Sequence, residues 1–309
     1  MIIEVNHVSM IYPVNKKKKI LALNDISYAI SCGEIVGLIG LNGAGKSSLI
    51  KLMTGIIKPT QGEIIVMGEI PFNKRKKICS KYGAMFGQRS QLWWDLPVKD
   101  SFYVNGSIYG MSKKQIREKI YFYEEWLNLN YFDIPVRKLS LGQRVMCDIL
   151  ISMLHEPEIL FLDEGTIALD VFNRRKILEM IIKINREFGT TIIMTSHQLD
   201  DIESVCNRIL LLNKGSLYYD GKLKDFIRDS KISKAISIQA IDIDTLEKEL
   251  LRFVKRGNVY TIRKEYELSL FVKNNEKLYE EIVQFLSKNE KIDSFLIREV
   301  TLEERIMLI

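Results

Sequence analysis

The sharpest chemical signal in the chain is Gly40-Leu41-Asn42-Gly43-Ala44-Gly45-Lys46-Ser47, which fits the pattern GxxxxGK[ST]. Glycines at these places let backbone N–H groups curl around a phosphate, and the helix start that follows adds partial positive charge. Lys46 is placed to bridge the outer phosphates, and the Ser47 hydroxyl to ligate Mg²⁺. An apolar run at residues 35–39 precedes the loop, and helical spacing over 47–53 follows it, which is the setting such a loop needs. Asn42, Gly43, Ala44, Gly45, Lys46, Ser47 and Ser48 therefore read as a nucleotide site. A second signal lies downstream, where the apolar run 159–162 ends in Asp163-Glu164. The end of a parallel strand faces a ligand crevice. Asp163 is placed there to hold Mg²⁺ through water, and Glu164 to act as general base on an attacking water.

These groups need a scaffold, and the pattern supplies one. Residues 2–8 and 26–30 read as antiparallel strands around a lysine-rich break. The four lysines at 16–19 have no interleaved aromatics and read as a solvated hairpin tip rather than an anionic-surface contact. Strand-like runs recur at 63–66, 159–162, 191–195 and 208–212, and helical spacing at 113–126, 143–154, 171–188 and 199–205. Alternating strands and helices predict an α/β sheet covered on both faces. Residues 96–137, rich in Tyr with few strand signals, read as a helical insertion. After Gly221 the order becomes βαββαβ with a short helical tail. The expected division is 1–221 and 222–309, with a helical subdomain at about 96–155.

Between the two chemical signals, Leu139-Ser140-Leu141-Gly142-Gln143-Arg144 opens a helix. Here the sequence resembles the ATP-binding-cassette (ABC) ATPases, over about residues 2–221. Leu139 to Gln143 is similar to the family's LSGGQ signature, Gln88 to the Q-loop glutamine, Leu169-Asp170 to the D-loop and His197 to the switch histidine. Tyr12 fits the aromatic that stacks on adenine, and the family's motif order is kept throughout. The resemblance implies a P-loop NTPase ABC cassette with an antiparallel β subdomain and a helical insertion, plus a small α+β C-terminal domain. It implies a head-to-tail dimer with two ATP molecules between copies. Ser140, Gly142 and Gln143 of one copy, with Asp170, would then meet nucleotide held by the other copy. It also gives Glu164, His197, Lys46 and Gln88 catalytic roles, and assigns Mg²⁺ to Ser47, Gln88 and Asp163.

Four departures from the family pattern stand out. Leu141 replaces a glycine, Gly165 follows Glu164 where proline is usual, and Ala168 and Ser48 are mild changes. Glycine frees φ where proline fixes it, so a looser aim of Glu164 and slower hydrolysis are expected. Trp93 and Trp94 read equally as an anchor for a membrane partner or as core or hinge aromatics. This segment and the signature resemble the drug-resistance-type exporter branch, with separate transmembrane permease subunits. That places the chain in the cytoplasm, at the inner face of the plasma membrane. A non-transport ABC ATPase regulating a partner, and a slow-turnover nucleotide-binding subunit, are the alternatives.

Composition sets the outer limits. The 309 residues are 47% hydrophobic and 27% charged, as in ordinary globular chains, and imply about two domains. No apolar run nears the roughly 18 residues of a membrane-spanning helix. The N-terminus lacks the pattern of a signal peptide. A net charge of +6 with no basic face gives no reason to expect a nucleic acid partner. The cysteines Cys32, Cys79, Cys147 and Cys206 form no CxxC pair, so reduced and mostly buried thiols are expected.

Overall fold

The computed structural model describes residues 1–13, 19–87, 90–165, 169–196, 198–229, 232–240, 242–255, 258–264, 267–273, 275–289 and 291–308. Gln88, His197, Ala168 and the lysines at 16–18 lie outside the described residues. The chain forms two compact units, Met1–Leu223 and Lys224–Ile309.

The first unit opens with β1 (Ile3–Pro13), β2 (Lys19–Ile30), β3 (Ile35–Ile39), α1 (Lys46–Met53) and β4 (Gln61–Val66). Next come α2 (Arg75–Cys79), β5 (Tyr82–Phe86), α3 (Val98–Ile108), α4 (Lys113–Leu127) and α5 (Leu141–Ser152). It closes with β6 (Ile159–Asp163), α6 (Val171–Phe188), β7 (Thr191–Thr195), α7 (Leu199–Val205), β8 (Arg208–Asn213), β9 (Ser216–Lys222) and the start of α8 (Leu223–Asp229).

Its main sheet has the order β5-β6-β7-β3-β8-β9, parallel from β5 to β8 with β9 antiparallel at the edge. Every residue of β3 and β7 is buried, as a parallel strand covered on both faces requires. Parallel direction brings the C-terminal ends of β3, β5, β6 and β7 to one edge of the sheet. The loops after those four strands therefore share one crevice. A second sheet, β2-β1-β4, is antiparallel. One core joins the two: Leu23, Ile26 and Ile30 pack with Leu38, Leu49, Ile50 and Phe161.

The stretch read as a helical insertion holds α3 and α4, with Phe102 stacked edge-on against Phe132 (5.1 Å) and Tyr123 (6.3 Å). Strand β5 escapes the sequence pattern because Gly83 and Ala84 are weak strand formers. Gly83 is needed there: a Cβ would stand 2.1 Å from the Ser152 carbonyl oxygen at the end of α5. The expectation of mostly buried thiols is corrected. Cys147 and Cys206 are buried, but Cys79 is half-buried and Cys32, in the tight turn before β3, is exposed.

The second unit contains β10 (Ile232–Ala240), α9 (Ile243–Val254), β11 (Val259–Lys264), β12 (Glu267–Lys273), α10 (Glu276–Ser287), β13 (Ile292–Glu299) and α11 (Leu302–Met307). Its sheet order is β11-β12-β10-β13, every pair antiparallel. Leu246, Leu250 and Phe253 of α9, with Leu278, Ile282 and Leu286 of α10, cover Ile236, Ile238, Leu268 and Leu270. Helical spacing of apolar residues makes these stripes, and their burial holds the unit together.

Candidate nucleotide site

The loop between β3 and α1 is shaped by backbone that only glycine takes easily. Gly45 caps α1 at φ 106°, and a Cβ there would lie 2.6 Å from the Ala22 carbonyl oxygen. No side chain caps the first N–H groups of α1, so they are available to an anion. Lys46 Nζ donates to the carbonyl oxygens of Gly40 (2.7 Å) and Leu41 (3.2 Å), so the lysine spans its own loop. Burial pushes its amine below the usual lysine range, and the nearby Glu164 and Asp163 carboxylates act against that shift. Ser47 is exposed at the mouth of the loop. Tyr12 is brought beside it, its hydroxyl donating to Ser48 Oγ at 3.3 Å.

Asp163 and Glu164 leave the end of β6 next to this loop. Thr195, the last residue of β7, donates its hydroxyl to Asp163 Oδ1 (2.7 Å) and accepts the Glu164 N–H (3.0 Å). Sequence reading missed Thr195, whose only signal is a hydroxyl at the end of an apolar strand. Glu164 sits at φ 60°, a left-handed backbone uncommon outside glycine. A proline at 165 would push residue 164 toward extended backbone, and Gly165 removes that restraint. The departure at 165 therefore shows one residue earlier, while the Thr195 bond holds the Glu164 backbone in place.

The signature lies at the start of α5. Ser140 Oγ accepts the Gln143 N–H (3.2 Å), and Gln143 Oε1 accepts the Ser140 N–H (2.8 Å), a reciprocal capping box. Gln143, read as a nucleotide contact, thus has its carbonyl committed to the helix start. Asp170 caps α6 in a similar way, accepting the N–H groups of Phe172 (3.1 Å) and Asn173 (3.0 Å). The Asn173 N–H holds the Asp170 carboxyl below the usual carboxylate range.

The two helix starts meet at Gly142, where a Cβ would stand 2.5 Å from Asn173 Cγ and 2.7 Å from its Cβ. Gly142 is therefore a packing requirement, and Asn173 is a partner that sequence reading missed. Gly142→Ala should lower stability by about 1–3 kcal/mol, the usual cost of forcing an extra carbon into a packed site. Asn173→Gly in the same chain should recover most of that loss in thermal melts, and no recovery would refute the contact.

Beyond β5, the Asp148 carboxylate on α5 accepts the Gln91 N–H (2.7 Å) and the Ser90 hydroxyl (3.1 Å). Burial pushes its carboxyl up to about 6, against hydrogen bonds that favour the charged form. The native pKa is raised, so the folded chain loses stability as pH climbs from about 4 to about 6, then no further. The melting temperature of Asp148→Asn relative to the parent should accordingly rise over that window and level off above it. A gap that stays constant with pH would contradict the assignment. Trp93 and Trp94 are each 53% exposed, which removes the core reading of these aromatics. The Arg144 guanidinium lies over the Trp94 ring at 5.0 Å.

Phosphate loop, strand-end carboxylates and capped signature helix, set on one α/β sheet, define a nucleotide-hydrolysing cassette. The family model described as ABC transporter matches residues 23–167. A methionine import ATP-binding protein of Enterococcus faecalis is 30% identical over 260 residues, covering 81% of this chain and 74% of the relative. An energy-coupling factor transporter ATP-binding protein of Clostridium perfringens is 31% identical, covering 89% and 100%. A dimeric ATP-binding cassette in a post-hydrolysis state with ADP and phosphate shares the fold, with TM-score 0.62, 24% identity and coverage of 72% and 98%. The chain belongs to the ATP-binding subunits of ABC transporters, whose ATPase activity is coupled to transport. Among the described residues no helix is long and apolar enough to cross a membrane.

Proposed function

We propose that two copies of this chain close head to tail on two ATP molecules and drive export through separate membrane-spanning subunits. The observation that carries the dimer is an exposed apolar rim. Leu141 beside the signature, and Val171 (77% exposed) and Phe172 (66% exposed) beside Asp170, lie on the two adjoining helix starts. Large apolar side chains left together on a surface mark an interaction site. In the closed pair, Ser140 and Gly142 meet the γ-phosphate held by the other copy's Lys46. A solved cassette that shares this fold is a dimer bound to ADP and phosphate, which supports pairing of such cassettes and no more.

The oxygens of Ser47 and Asp163 suit Mg²⁺, a hard cation that takes oxygen ligands and, when bound, neutralises phosphate charge. The resemblance adds Gln88 to that set and gives His197 the γ-phosphate. Glu164 takes the proton of the attacking water, while Thr195 holds the Asp163 carboxylate and the Glu164 backbone N–H at the strand end.

Separate membrane subunits fit a chain whose exposed Trp93 and Trp94 offer an aromatic anchor. Such a pairing keeps the chain at the inner face of the plasma membrane. Export is supported by the resemblance of residues 86–97 and 139–144 to the drug-resistance branch. Import is the second reading, favoured by the name of the Enterococcus faecalis relative. Purified from native membranes, the chain should bring a polytopic membrane protein with it, and that complex in vesicles should move cargo away from the ATP side. Uptake toward the ATP side would replace export with import, and recovery of the chain alone would remove the transport partner.

A further inference from the structure

Arg144, Asp148 and Ser152 stand four residues apart on α5 and so share one face of the helix. All three meet the stretch that follows β5. Arg144 lies over Trp94, Asp148 holds Ser90 and Gln91, and Ser152 Oγ accepts from Gln91 Nε2 at 2.9 Å. Gln91 Nε2 also reaches the Ala84 carbonyl oxygen of β5 at 3.2 Å. Within the loop, Ser90 Oγ accepts the Leu92 N–H (3.1 Å), so the Asp148 contact organises the turn into the tryptophans. Asp148 itself is only 5% exposed. A buried carboxylate is costly where an apolar residue would pack, unless its hydrogen bonds are needed.

On the other side of residues 88 and 89, Gly87 donates its N–H to the Asp163 carbonyl oxygen at 3.1 Å. Gly87 thus belongs to the strand edge that carries the catalytic carboxylates, and Ser90 belongs to the signature helix.

We infer that Asp148 is a positioning residue that clamps residues 90–94 to α5, so that the Trp93–Trp94 surface moves with the signature helix. The inference rests on the proposed ATP-driven dimer, in which the signature end of α5 meets nucleotide held by the other copy. Without the carboxylate, the Ser90 hydroxyl and Gln91 N–H lose their acceptor and the loop no longer follows the helix. Asparagine keeps an acceptor oxygen in the same place, so it preserves the clamp where alanine does not.

The test reads tryptophan emission in the full chain carrying Glu164→Gln and Trp126→Phe, which leaves Trp93 and Trp94 as the emitters. Mg-ATP should change the emission of this parent and join it into a dimer by sedimentation. Asp148→Ala should still bind ATP and dimerise, with the emission change cut to about a tenth. Asp148→Asn should restore it. Ser90→Ala with Gln91→Ala, which leaves α5 intact, should repeat the loss from the loop side and guards against misfolding of Asp148→Ala. A full emission change in Asp148→Ala or in the loop variant overturns the clamp. A failure of Asp148→Asn to restore the change also overturns it. A parent that binds ATP yet stays monomeric overturns the dimer reading and the clamp with it.

Discussion

Glu164→Gln is expected to bind ATP as tightly as the parent and to release phosphate about 100-fold more slowly or worse, the usual loss when a positioned general base is removed. Several features make this the sharpest test of hydrolysis. Glu164 stands at the end of β6, its N–H tied to Thr195 and its backbone at φ 60°. A glutamine fills the same volume with the same backbone, so geometry is kept while the proton acceptor is lost. Lys46 and the N–H groups of the phosphate loop are untouched, so ground-state binding stays. Phosphate release and nucleotide titration on the same preparation separate the two effects. Parent-like turnover in Glu164→Gln would remove Glu164 from the reaction. Gly165 bears on the parent's own rate, since the left-handed Glu164 backbone aims the side chain differently from an extended one.

Lys46→Ala should show the opposite pattern. Its Nζ reaches Gly40 and Leu41 across the loop and is partly stripped of water, which strengthens its attraction for an incoming phosphate. Losing a charge-assisted contact of about 2–4 kcal/mol corresponds to a fall in ATP affinity of roughly 30- to 1000-fold. Hydrolysis at working ATP concentrations then disappears because the site is empty, not because chemistry is slow. The fold should survive, because the loop shape depends on Gly45 and the Leu23 packing rather than on the amine. A thermal melt close to the parent's, with lost binding by calorimetry, is the expected pair of results. Unchanged affinity would remove Lys46 from the phosphate site.

The comparison of these residues with their setting shows what a sequence makes visible. The phosphate loop and the largely apolar strands β3, β6 and β7 are legible because backbone demands and double-sided burial leave a local mark. Helix α6 is legible for a similar reason: an amphipathic stripe that starts at a capping residue, Asp170. Partners set by tertiary approach leave no such mark. Thr195, Asn173 and Asp148 look ordinary in sequence, and each becomes specific only when two loops or two helix starts come together. Gln143 shows the reverse, since a residue read as a ligand contact closes its own capping box. Strand β5 was hidden because the glycine that admits α5 also weakens the strand signal.

The central claim is that ATP joins two copies of this chain into the hydrolytic unit. Sedimentation velocity of Glu164→Gln tests it most directly, with Mg-ATP and then with Mg-ADP. With Mg-ATP the particle should have twice the 35.9 kDa of one chain, and with Mg-ADP it should return to one chain. Phe172→Glu, on the exposed rim, should hold it at one chain in both conditions. A single-chain particle that binds Mg-ATP fully and never pairs would contradict the account.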